Sequence, residues 1–138
     1  MSRRVDFLQH QKIMRLATTN EHGEPHVVPV WYMYDDNTIY IGTNTQTVKA
    51  RNVKHTKTAA FCVDEGVRAP IYGIMGRGSA RLILDPTQVG NLAEQILMRY
   101  YTDIHQEAAQ ALYKDTDCII AIRVDSITEW PDSPHKVG

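Results

Sequence analysis

Cysteine is nearly absent: Cys62 and Cys118 are the two in 138 residues, far apart and with no Cys-x-x-Cys pair. That scarcity argues against a disulfide framework and a zinc knuckle, and makes a reducing cytoplasm the expected compartment. No apolar run approaches the length of a membrane span. The segment after Arg3 and Arg4, Val5-Asp6-Phe7-Leu8-Gln9-His10-Gln11, is too short and too polar for a signal sequence, so neither export nor membrane anchoring is expected. Net charge is scarce too. A formal value of -1 supplies no overall drive towards nucleic acid or anionic lipid, so electrostatic binding has to come from a local cluster. Histidines 10, 22, 26, 55, 105 and 135 are scattered, and His22 and His26 span a Gly and a Pro, which keeps them off one helix face. No metal site is expected from that spacing.

What is present is an ordinary globular composition, 43% apolar and 22% charged, at the length of a single domain spanning residues 1–138. Val5, Leu8 and Ile13 mark a short amphipathic helix over residues 3–12 that caps the fold. Ile13 to Thr19 alternates apolar and polar residues, and the Gly and Pro of Asn20 to Pro25 then mark a turn. The run His26 to Tyr34 reads as one strand, ending at Asp35-Asp36-Asn37, and Thr38 to Thr43 as the next. Pro29 confines its own strand to an edge, a bulge or a ligand-facing stretch, because it lacks an N–H and fixes φ.

A helix is expected over Gln46 to His55, with Thr45 or Thr47 as N-cap, followed by strands Thr58 to Val63 and Ile71 to Leu84. Gly73, Gly76 and Gly78 bend the second of these as a barrel strand bends at a corner. Asp85-Pro86 opens the longest helix, with Val89, Leu92, Ile96 and Leu97 at helical spacing as far as Tyr101. A further helical stretch covers Ile104 to Tyr113. In the last strand, Cys118 to Val124, the side chains of Ile120, Ile122 and Val124 share one face, and the tail from Pro131 to Pro134 leaves the fold. Six strands joined mostly by short turns indicate a mainly β fold, a closed or nearly closed antiparallel barrel with accessory helices, rather than a doubly wound sheet.

From Asn37 to Val63 there is no Asp or Glu, yet the segment carries Lys49, Arg51, Lys54, His55 and Lys57. If Thr47 starts the helix, its hydroxyl, the first free N–H groups, the helix dipole and the cations at 49 and 51 converge on one anion, for which a phosphate is suitable. The plainer reading of the same run is a solvated helix face. Immediately before the helix, Gly42-Thr43-Asn44-Thr45 offers small side chains that let a planar ligand approach closely.

Three segments in order, His26-Val27-Val28-Pro29-Val30-Trp31-Tyr32 followed by Asp35-Asp36, Thr47-Val48-Lys49-Ala50-Arg51-Asn52-Val53, and Gly76-Arg77-Gly78-Ser79-Ala80-Arg81, resemble the pyridoxamine 5′-phosphate oxidase-like split β-barrel superfamily. Within it the likeness is greatest to the type B flavin and deazaflavin oxidoreductases, and it covers roughly Ile13 to Trp130. The resemblance implies a six-stranded split barrel and a homodimer with cofactor sites between the subunits. It also implies that Lys49 and Arg51, helped by Thr47 and Asn52, hold the cofactor phosphate, with Val28, Pro29, Val30 and Trp31 against the ring system. Thr43 and Asn44 join the expected cofactor-binding set, and Arg77 does so by reaching across the dimer. Coenzyme F-420, a deazaflavin, is the implied cofactor, with FMN the alternative.

The expected activity is hydride transfer between that cofactor and an unidentified small molecule. No catalytic residue is named, because hydride transfer needs chiefly a well-placed cofactor atom and a dry pocket. A non-catalytic protein that stores or senses the cofactor, or haem, is the competing class, since a barrel alone does not separate the two. Nucleic-acid binding through Lys49 to Lys57 lacks interleaved aromatics. Gly76-Arg77-Gly78-Ser79 has the flanks of neither a nucleophile elbow nor a dinucleotide fingerprint. Tyr72, Tyr100 and Tyr101 read either as core or as lining of the substrate side, and the Glu65 to Pro70 loop is expected to form the groove's outer wall.

Overall fold

The computed structural model describes residues 2–65 and 71–131. Along the chain the elements are α1 (Arg3–His10), β1 (Met14–Thr19), β2 (Pro25–Val30), β3 (Met33–Asp35), β4 (Thr38–Thr43), α2 (Val48–Thr56) and β5 (Thr58–Glu65). They continue as β6 (Tyr72–Ile83), α3 (Pro86–Leu97), α4 (Glu107–Asp115) and β7 (Cys118–Trp130). The described strands form one antiparallel sheet in the order β2-β1-β5-β6-β7-β4-β3. Among the described residues no helix is long and apolar enough to cross a membrane.

Strands β2 and β3 lie at opposite edges of this sheet, yet only Trp31 and Tyr32 separate them in sequence. Laid flat, the six gaps between seven strands would put those edges roughly 29 Å apart. The three Cα steps from Val30 to Met33 span at most about 11 Å. The sheet therefore has to curl until its first and last strands are neighbours, which makes a half-barrel.

The described residues form seven strands rather than the expected six, because the run from His26 to Tyr34 is interrupted at Trp31-Tyr32. There the Tyr32 N–H donates to the Tyr100 hydroxyl at 2.9 Å and its carbonyl accepts from Arg99, so side chains replace the ladder. Pro29 sits on edge strand β2, one of the places its missing N–H allows. Most other boundaries differ from the sequence reading by one to three residues, α4 for example running Glu107–Asp115 rather than Ile104 to Tyr113, and two differ by more. β7 continues past Val124 to Trp130, and α3 ends at Leu97 rather than Tyr101.

Two apolar clusters result. Inside the curl, Leu16, Ile39, Phe61, Val63, Ile74, Ile120 and Ile122 form the main core, closed at one end by Leu8 of α1. Ile13, expected beside it, is exposed. On the outer face, α3 packs Val89 and Ile96 onto Ile83, Ile119 and Ala121. β7 is thus buried on both faces over its first half. The sheet bends where the register between β6 and β7 shifts at Arg77/Gly78, leaving Asp125 without an opposite residue.

A Cβ at Gly78 would lie 1.8 Å from the Arg123 carbonyl oxygen, whereas one at Gly23 (φ +78°) would meet only open space. G78A is expected to cost about 3 kcal/mol or more, the upper end of overpacking effects. G23A should cost only the backbone strain of about 1–2 kcal/mol. Urea unfolding compares the two, and equal losses would show that the β6–β7 contact yields freely.

Candidate functional site

The acid-free segment folds as its composition suggests. Thr47 is the N-cap of α2, and its Oγ1 accepts from Ala50 N at 3.4 Å. The same hydroxyl donates to the Asn44 carbonyl at 2.9 Å and lies 3.0 Å from Thr43 Oγ1. Asn44 Oδ1 accepts from Gln46 N at 3.0 Å, and its Nδ2 donates to Asp115 at 3.3 Å. Thr43, Asn44 and Thr47 are therefore occupied in building the helix start. The N–H groups of Val48 and Lys49 have no partner among the described residues. They stand at the positive end of the helix dipole.

Lys49 is the cation turned into a cavity of about 210 Å³, where it meets Pro29, Val30 and Trp31 from the strand break and Gly42 from β4. The remaining wall comes from Ala93, Ile96 and Leu97 of α3 and from Leu112 and Thr116 at α4, so it is largely apolar. Burial pushes the Lys49 ammonium below the usual lysine range, with the nearby Cys118 opposing this weakly. No carboxylate pairs with it among the described residues. A half-desolvated ammonium without a counter-charge is electrostatically costly, and an anion in the cavity would remove that cost.

Arg51 goes elsewhere. Two helical steps turn a side chain by about 200°, so 49 and 51 look in nearly opposite directions. Arg51 lines a neighbouring groove of about 520 Å³ with Asn20, Glu21, Glu24, His26 and His55. Asn52 also borders that groove, but it is buried and donates to Thr18 Oγ1 at 3.0 Å, which ties α2 to β1. Val28 packs against the main core, and Arg77 of β6 stands exposed opposite Ser126, beside the β7 bulge. The structure thus brings Lys49 together with Pro29, Val30 and Trp31, and does not bring Arg51, Asn52 or Arg77 to that cavity within one chain. Of the expected outer wall, residues 66–70 lie outside the described residues.

The sequence reading missed Arg99. Its guanidinium donates to the Tyr32 carbonyl, to the Gln9 carbonyl at 2.8 Å and to the Gln11 carbonyl at 2.7 Å. Tyr100, beside it, accepts Tyr32 N–H and donates to the Lys12 carbonyl at 2.8 Å, while its ring stacks on Trp31 at 4.2 Å and 6°. Burial raises the phenols of Tyr32 and Tyr100, so both stay protonated donors. Tyr100 is thus neither plain core nor free lining; it holds the wall of the cavity. Only tertiary contact reveals this, since nothing in the local pattern of Met98 to Tyr101 points to Trp31.

The pyridoxamine 5′-phosphate oxidase family model matches residues 3–131. Over 65 residues the chain is 40% identical to the 5a,11a-dehydrotetracycline/5a,11a-dehydrooxytetracycline reductase of Streptomyces rimosus subsp. rimosus. That match covers 44% of this chain and 46% of the reductase, so it spans about half the length of that curated relative. Among solved structures, the conserved hypothetical protein Rv2991 from Mycobacterium tuberculosis superposes with a TM-score of 0.80 at 23% identity, over 100% of this chain and 92% of that one. An F420 reductase superposes with a TM-score of 0.73 at 24% identity, over 89% of this chain and 94% of that one. At these identities the structural likeness is one of fold.

Y100F removes the acceptor of Tyr32 N–H. It is expected to cost about 1–3 kcal/mol in urea unfolding, the penalty of an unsatisfied buried donor. It should also shift tryptophan emission as Trp31 loosens. A variant with wild-type stability and an unchanged spectrum would show that the ring stack alone holds the break.

Proposed function

The chain belongs to the pyridoxamine 5′-phosphate oxidase family, and from that membership we propose that it is a homodimeric oxidoreductase moving a hydride between bound coenzyme F-420, or alternatively FMN, and a small molecule. The observation that carries the reading is Lys49: a half-buried ammonium with no carboxylate partner among the described residues, at a helix start, facing an apolar cavity walled by Pro29, Val30 and Trp31. An anionic group joined to a flat, largely apolar body is the ligand that fits such a pairing.

The residues present fit a phosphorylated ring cofactor. Lys49 and the N–H groups of Val48 and Lys49 would hold the phosphate, and the Pro29 to Trp31 segment would lie along the ring. When bound, that cofactor supplies the hydride-accepting and hydride-donating centre. Trp31 is kept in place by its stack on Tyr100, and Arg99 and Tyr100 hold the Tyr32 backbone where the chain leaves the β1–β2 ladder after Val30. Ile96, Leu97 and Leu112 exclude water from the same space.

Size favours the homodimer. A volume of about 210 Å³ falls below the 300–1,000 Å³ typical of ligand pockets, so one chain encloses only part of such a cofactor. Val27, Trp31 and Ile71 are exposed apolar side chains that a second copy would cover. Among the described residues, the lining that one chain gives this cavity holds no His, Cys or Tyr, so the competing haem reading would need its axial ligand from elsewhere. The partial likeness to a reductase supports turnover rather than storage.

K49A is expected to weaken deazaflavin and FMN binding about 10- to 100-fold, the worth of a charge-assisted contact. R51A should weaken it less. Fluorescence titration with each cofactor separately measures both effects, and unchanged affinity in K49A would remove the reading. The pH dependence has a definite sign. Binding needs the charged ammonium, so affinity should fall as pH rises through the lowered Lys49 pKa, below the usual lysine value, and K49A should lose that dependence. Reduced cofactor left unoxidised by a broad panel of enones and quinones would favour storage.

A further inference from the structure

A second basic site lies at the other end of α2. The nine-residue helix separates Lys49 from its C-cap residue Lys57 by about 12 Å along the axis. Lys57 adopts a left-handed conformation (φ 60°), and its carbonyl accepts from Ala80 N at 2.9 Å, fixing it beside β6. There it borders an outer-face groove of about 490 Å³ together with Arg81 and Arg123.

Strand register builds this groove. Ser79, Arg123 and Thr38 form one cross-strand row over β6, β7 and β4, and Arg81, Ala121 and Tyr40 form the row beside it. All six side chains point to the same face, since successive positions in each strand alternate. Ala121 is the small residue at the centre of its row, so a hollow opens between Arg81 and Tyr40. α3 covers Ala121 and Ile119 on this face, and the two arginines stand where the face emerges from beneath it.

None of the three cations has an ion-pair partner among the described residues, and no carboxylate lines the groove. The nearest outer-face acid on β7, Asp125, is the bulge residue and accepts Ser79 N–H at 3.2 Å. Lys57 alone has a local explanation, the negative end of the helix dipole. Arg81 and Arg123 have none. Like charges on adjacent rows of one sheet face repel; Asp35 continues the Ser79, Arg123 and Thr38 row on β3, but among the described residues it forms no ion pair with either arginine.

We propose that this groove binds a small multivalent anion, of the diphosphate class, bridged by Lys57, Arg81 and Arg123 with Ser79 as a hydroxyl donor. Single exposed ion pairs contribute little, whereas two cations on a sheet with a third fixed beside it at a helix end reward a ligand that spans them. A diphosphate brings two linked phosphoryl groups and more negative charge to three cations than a monophosphate does. Nucleic acid is the weaker occupant, because the groove offers only the half-buried Tyr40 as a stacking platform. The inference does not depend on the cofactor reading, as Lys49 takes no part in it.

Calorimetric titration of the full chain with pyrophosphate at physiological ionic strength tests it. The expected result is a saturable site that persists in K49A and weakens at least 10-fold in the R81A/R123A double variant, with inorganic phosphate binding at least 10-fold more weakly than pyrophosphate. Circular dichroism checks that the double variant is folded, which its exposed positions favour. If it is not, R81Q/R123Q carries the same expectation. Non-saturating heats, an isotherm unchanged by the double variant, equal affinity for phosphate, or tighter binding of single-stranded oligonucleotides with increasing length would each overturn the proposal.

Discussion

The fold depends on a connection two residues long. Trp31 and Tyr32 join the two outermost strands of a seven-stranded sheet, and a peptide of that length leaves the sheet no option but to curl. The connection cannot be a strand itself, because it belongs to neither edge's ladder, yet Tyr32 is fully buried and its backbone groups need partners. Arg99 and Tyr100 supply them from the turn after α3. That same exchange of partners lets the chain leave the β1–β2 ladder after Val30, where Pro29, Val30 and Trp31 border a cavity. A constraint of chain length, met by two side chains from a distant turn, thereby produces both the barrel and the wall of its candidate site.

Electrostatics follows from where the helices land on this frame. α2 begins against the strand break and ends against β6, so its two ends present basic residues to two separate hollows. At the first end the cation is half-buried beside apolar walls, where a counter-ion gains from weak screening. At the second, the cations are exposed and act through number and rigidity. The protein as a whole is near neutral; the first excess arises because the stretch from Asn37 to Val63 carries no acid, and the second because strand register adds Arg81 and Arg123 beside Lys57.

Much of this was legible in the chain. The alternation of Ile120, Ile122 and Val124 marks the inner face of β7, Asp85-Pro86 marks the start of α3, and Thr47 marks the cap of α2, because each signal is local. The interruption at Trp31 was not, since Val, Trp and Tyr have strong strand propensity and tertiary partners overrode it. Arg99 was invisible for the same reason. The divergence of Lys49 and Arg51 is different: it was implicit in the helix itself, as a spacing of two on a 3.6-residue period sends side chains to opposite sides. The convergence of both on one anion was expected from their proximity in sequence, and helical geometry works against it.

The curl also has a bearing on how the chain reaches its structure. β1 with β2, and β3 with β4, are adjacent hairpins that need only short-range pairing, and the second turns at Asp36-Asn37 with both residues at positive φ, as a two-residue hairpin loop requires. β4, however, must wait for β7: Thr43 meets Cys118 and Thr38 meets Arg123, pairings that close most of the chain into one loop. Two early hairpins hinged at Trp31 would therefore stand open until synthesis of the last strand allows them to be zipped together. Until then the inner apolar face and the edge of β4 remain uncovered, so the nascent chain is most exposed to misassociation in the interval just before β7 arrives.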